Sequence, residues 1–150
     1  MADDAAKVAP HVYKVVFENE RARVLEVTMN GQTGPFHRAW SLFLLDHDRR
    51  VAEVLRKAQE EIAIRHDIYG WDLLAWALHK SGRDGEAADA MARALSLGTR
   101  DGMLFYHAAM IEHALGQAAA ARTRLDQAFA VNPYWHPSQP AEARAALEKP

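Results

Sequence analysis

With 150 residues, 49% of them apolar and 25% charged, the chain has enough material for one globular domain with a real core. Eighteen Lys and Arg against twenty Asp and Glu leave a net charge of −2 without a basic patch, which argues against a nucleic-acid partner. The absence of cysteine excludes disulfides, thiolate metal sites and a cysteine nucleophile, and no apolar run approaches a membrane span. The opening MADDAAKVAP has acids where a signal peptide needs a basic segment and an apolar run, so the chain reads as cytoplasmic with no membrane partner.

The first elements in chain order read as a β-hairpin. HVYKVVF and ARVLEVTM are β-branched and aromatic runs joined by the polar turn ENER. Alternation groups Tyr13, Val15 and Phe17 on one face and Leu25, Val27 and Met29 on another of similar character. An isolated two-stranded hairpin is marginal in water, and its free edges pair readily. These six residues are therefore expected to drive self-association, as a homodimer. Gly31, Gly34 and Pro35 then break the strand pattern. From Trp40 onward the chain reads as helices, expected near 41–46, 50–65, 68–81, 84–96, 102–115, 118–130 and 140–148. In the second of these, Val51, Leu55, Ala58 and Ile62 form one apolar stripe.

The strongest signal is internal repetition at a period of 34 residues. Ala75, His79, Gly82, Ala87 and Ala94 recur as Ala109, His113, Gly116, Ala121 and Ala128, while Trp71, Met91, Leu95 and Leu97 recur as Phe105, Leu125, Phe129 and Val131. Gly82 and Gly116 fall where a first helix must stop in a left-handed turn, and the matched alanines are small where paired helices approach closely. Pro133 closes the second unit.

With small residue, glycine, alanine, alanine and proline at Ala75, Gly82, Ala87, Ala94 and Pro133, the stretches from Trp71 to Thr99 and from Leu104 to Pro133 resemble tetratricopeptide repeats. The run from about residue 40 to 148 is similar to the carboxyl-terminal part of longer bacterial tetratricopeptide repeat proteins. Thr99 departs from the proline usual there, and Gly98 supplies a stop instead. The resemblance implies a mainly α fold. It is a solenoid of two and a half repeats, at about 68–101 and 102–135, with a preceding helix at 50–65 and a capping helix at 140–148, all within a helical domain of residues 39–150. Residues 9–37 resemble the opening strands of a small bacterial cupin, so that 1–38 form a tail and a cupin-like hairpin remnant. His37 aligns with a ligand of that family, but Arg38 and Ala39 replace the second histidine and the later strands are missing. No metal and no cofactor are expected.

In a tetratricopeptide stack the first helices of each pair line the concave surface. Helical spacing then places Tyr69, Asp72, Trp76 and His79 beside Met103, Tyr106, Met110 and His113, an aromatic, methionine and histidine groove. Such side chains suit an apolar helix or extended peptide. The lysine, asparagine and arginine of a carboxylate clamp are missing, their places holding residues such as Tyr69, Trp76, His107 and Met110. Asp46, His47 and Asp48 are neighbours on a helix end and point apart, and His66 and His136 have no partner in sequence. No glycine-flanked nucleophilic serine or phosphate loop occurs, and Ser41, Ser81, Ser96 and Ser138 are expected to cap backbone donors. The expected function is a non-catalytic module binding a protein or peptide. The alternative is a residual cupin-like metal or small-molecule site at His37, completed by His47 or a second subunit.

Overall fold

The structure, a computed structural model, describes residues 13–18, 23–29, 32–33, 38–64 and 66–148, the strands and residues 146–148 by their backbone alone. The chain divides into two units, Met1–His37 and Arg38–Pro150. In the first, β1 (Tyr13–Glu18), β2 (Arg23–Met29) and β3 (Gln32–Thr33) make an antiparallel sheet in that order, the short third strand being one the sequence pattern did not indicate. Tyr13 lies opposite Val27 and Val15 opposite Leu25, but the pairing shifts between Val15 and Phe17. Phe17 therefore faces Val24, and the simple alternation that grouped it with Tyr13 and Val15 does not carry through the strand.

The second unit is all helix: α1 (Arg38–Asp46), α2 (Val51–Ile62), α3 (Ile68–Lys80), α4 (Asp84–Ala94), α5 (Gly102–Ala114), α6 (Ala118–Val131) and α7 (Gln139–Glu148). These are seven helices among the described residues, each boundary within three residues of the expected one. Among them none is long and apolar enough to cross a membrane. The architecture is that of helix pairs packed in series, α3 on α4 and α5 on α6, with α2 against α3.

Local chemistry explains the breaks between helices. Asp67 opens α3 by accepting from the Gly70 amide at 2.8 Å, and Asp101 opens α5 by accepting from the Met103 and Leu104 amides at 2.8 and 3.1 Å. Gly82 and Gly116, at φ +73° and +76°, end the same two helices. In each case the glycine amide and the next one reach back to carbonyls of the last turn: Gly82 to His79 and Arg83 to Leu78, then Gly116 to His113 and Gln117 to Glu112. Ala75, Ala87 and Ala94 and their partners Ala109, Ala121 and Ala128 are all buried, as a close helix crossing requires. The serines behave otherwise than expected. Ser81 and Ser96 donate to the carbonyls of Ala77 and Arg93, because helix carboxyl ends offer free acceptors and no free amides, and Ser41 is buried inside α1.

Candidate functional site

Three aromatic rings stack at the centre of the helical unit. Trp76 of α3 lies between His79, one turn on, and His107 of α5, with centroids 4.9 and 4.2 Å away. Each ring has its own carboxylate: Trp76 Nε1 donates to Asp46 Oδ1 at 2.9 Å, His79 Nδ1 faces Asp84 at 2.6 Å, and His107 Nδ1 faces Asp72 at 2.7 Å. An ionised carboxylate can only accept, so in both contacts the histidine Nδ1–H is the donor.

Asp72 is fully buried on α3 and uses both oxygens, one for His107 and the other for the Arg38 guanidinium of α1 at 2.5 Å. Burial acts to raise its pKa, but the facing His107 and Arg38 outweigh that and hold the carboxyl below its ordinary range. Arg38 also lies 4.9 Å over the Tyr69 ring and within 3.8 Å of the Met103 sulfur, so it ties α1 to α3 and α5 together. Among the described residues, Arg38 Nε and His107 Nε2 are buried without a hydrogen-bond partner. Tyr106, buried at 2% exposure, donates its hydroxyl to Glu142 of α7 at 2.9 Å. Its burial and the neighbouring Glu142 and Asp46 carboxylates push its pKa up, so it stays a neutral donor.

Between α1, the start of α5 and the segment leading into α7 lies a pocket of about 510 Å³. Its apolar wall is Ala39, Leu42, Phe43 and Met103. Its polar groups are Arg38, Asp46, His47, His136, Ser138 and Glu142. A second pocket, of about 670 Å³, runs between α3 and α4 past Trp71, Arg93 and the exposed Leu97. The first has the convergent polar groups on an apolar wall that ligand sites usually show.

The eight residues expected to line an open groove divide into three sets. Asp72, Trp76 and Tyr106 are interior, at 0%, 4% and 2% exposure, and this corrects the expectation that they face solvent together. The reason is that α1 and α7 lie across them: Asp46 takes the Trp76 indole, Arg38 takes Asp72, and Glu142 takes the Tyr106 hydroxyl. Tyr69 and Met103 both meet Arg38, Tyr69 partly exposed and Met103 in the pocket wall. His79 is half-buried on Trp76, while Met110 is half-buried, His113 is exposed, and neither lines the pocket. His37 lies outside the described residues, as do the side chains of Tyr13, Val15, Phe17, Leu25, Val27 and Met29. Among the described residues no group of three or more His, Asp or Glu is arranged to hold a metal. In the run Asp46 to Asp48 the three side chains part: Asp46 turns to Trp76, His47 packs on Phe43, and Asp48 pairs with Lys80.

Sequence reasoning passed over Gln139, Glu142 and Trp135 and gave Arg38 and Asp46 no part in this centre, which all five help to complete. A signal existed only for His107, a polar residue at the position where the first repeat has Leu73. Set beside family models, curated proteins and solved structures, the chain matches none of them.

Proposed function

We propose that the helical unit is a non-catalytic, tetratricopeptide-like interaction module that takes a peptide or partner helix at the pocket where α1, the start of α5 and the segment leading into α7 meet. The observation that carries this is the 510 Å³ pocket, where an apolar floor at Met103 and Phe43 meets donors and acceptors on three separate elements. Apolar area supplies affinity to an extended segment, and the polar rim sets its register. The same reading includes self-association as a homodimer through the strand unit.

The test is selection of peptides from a random display library on the full chain, followed by amide chemical-shift mapping. Shifts are expected in α1, around Met103 and at residues 136–142. Ala39→Trp, at an exposed wall position, fills the pocket and is expected to weaken the selected peptides about tenfold or more, ~1.4 kcal/mol, without changing the melting temperature. Ala119→Trp, exposed on α6, leaves binding unchanged. Equal binding by both variants refutes the site. Light scattering that gives only a 16.8 kDa species at high micromolar concentration removes the homodimer.

A further inference from the structure

The pocket between α1 and the segment leading into α7 holds two carboxylates that no cation of its own balances. Arg38, which also lines it, is already paired with the buried Asp72, so Asp46 and Glu142 remain. Lys80, whose ammonium lies over the Trp76 ring, is held by Asp48 at 2.6 Å. Among the described residues Glu142 has no basic partner. The basic group beside Asp46 is His136, whose Nε2 stands 3.6 Å from Oδ2, beyond hydrogen-bond distance.

Each carboxylate is anchored through one oxygen and keeps the other. Asp46 Oδ1 accepts from Trp76 Nε1 at 2.9 Å and from Gln139 Nε2 at 3.4 Å, while Oδ2 accepts no hydrogen bond among the described residues. Glu142 Oε2 accepts from the Tyr106 hydroxyl at 2.9 Å, which leaves Oε1. The two carboxylates converge on Tyr106, since both act to raise the pKa of its hydroxyl. Leu42, Phe43 and Met103 supply the apolar wall beside them.

We infer that this pocket takes a lysine side chain of the bound peptide, its ammonium donating to Asp46 Oδ2 and Glu142 Oε1 and its methylene stem lying along Leu42, Phe43 and Met103. This occupant presupposes the peptide-binding reading of the pocket. Charge complementarity selects a basic side chain, and the anchored oxygens select lysine over arginine. A guanidinium gains most from forking to both oxygens of one carboxylate, and here one oxygen of each is already engaged. An ammonium instead sends separate donors to separate acceptors, and its stem covers apolar surface while the head stays with polar groups.

The experiment titrates Nα-acetyl-lysine methylamide into the full chain at pH 7, followed by amide chemical shifts. The norleucine, arginine and Nε-acetyl-lysine analogues are titrated in parallel. The lysine compound is expected to shift residues 38–47, Met103 and 136–142, and the norleucine and Nε-acetyl forms, which keep the stem and lose the charge, to bind about tenfold more weakly. Glu142→Gln keeps the acceptor for Tyr106, and Asp46→Asn keeps the one for Trp76. Each should weaken the lysine compound about threefold and leave norleucine binding unchanged. Glu142 is exposed, so its variant serves as the test even if Asp46→Asn fails to fold. Norleucine binding as tightly as lysine overturns the inference, as does undiminished lysine binding by Glu142→Gln, tighter binding of arginine, or the absence of shifts in the pocket. Library-selected peptides that are sensitive to Ala39→Trp but bind equally well with their lysines acetylated also overturn it, and leave the peptide site standing. Selected peptides that ignore Ala39→Trp, while the lysine compound still maps to the pocket, sink the peptide reading instead.

Discussion

The two 34-residue repeats, α3–α4 and α5–α6, have the same backbone devices and different interiors. Asp67 and Asp101 cap them, Gly82 and Gly116 stop them, and Ala87 and Ala121 let their helices cross. The polar positions part ways. Asp72 is a buried anion held by His107 and Arg38, and its counterpart one period on is Tyr106, a neutral donor to Glu142. His79 is hydrogen-bonded to Asp84 and stacked on Trp76, while His113 is exposed and the counterpart of Asp84 is Ala118. Repetition therefore governs turns and small residues, which depend on their own neighbours in the chain. The environment of a polar residue depends on what precedes or follows its repeat in the stack, α1 for the first and α7 for the second.

The largest expected break in this comparison is Asp72→Ala. It leaves Arg38 and His107 facing no anion inside the fold and should cost about 3–5 kcal/mol in urea unfolding, towards the lower value because Arg38 is partly exposed. At the register-equivalent position Tyr106→Phe removes one hydrogen bond and should cost about 1 kcal/mol. Equal losses would mean that the first repeat has no special charge centre. The same centre sets an acid limit. Asp72 has a lower pKa folded than unfolded, so its stabilisation is complete above about pH 4 and is lost as pH falls through the folded value. A stability profile below pH 4 should therefore be flatter for Asp72→Asn than for the unaltered chain.

Next in size come Ala87→Leu and Ala121→Leu, where the repeats agree. Both alanines are buried at crossings, and each substitution should overpack its contact by about 1–3 kcal/mol, read as a lowered denaturation midpoint. An unaltered midpoint for either one would break the shared register. The smallest contrast is between the histidines. His79→Ala should cost about 1 kcal/mol through the lost Asp84 pair and Trp76 stack, whereas His113→Ala should stay within about 0.5 kcal/mol. Equal effects would show that the two positions share one environment after all.

The helices, their stops and the buried alanines were legible in the sequence because each rests on interactions within a few residues: an aspartate accepting from the next turn, a glycine at positive φ, an apolar stripe at helical spacing. The pairing of β1 and β2 was legible too, but not the shift at Phe17, since an extra residue in a strand leaves the alternation of side-chain types unchanged. At the candidate site the sequence indicated Trp76, Tyr106, Asp72 and Met103 as neighbours on the first helices of consecutive repeats, through the period together with the resemblance to tetratricopeptide repeats. Their burial was decided by the tertiary structure. Arg38, Asp46 and Glu142 come from helices outside the repeats, and no spacing rule links Asp46 to Gln139 across 93 positions. Local hydrogen bonds and periodic apolar spacing are written into neighbouring residues. Whether a side chain faces water or another helix depends on which distant elements dock over it, and docking is a property of the folded stack.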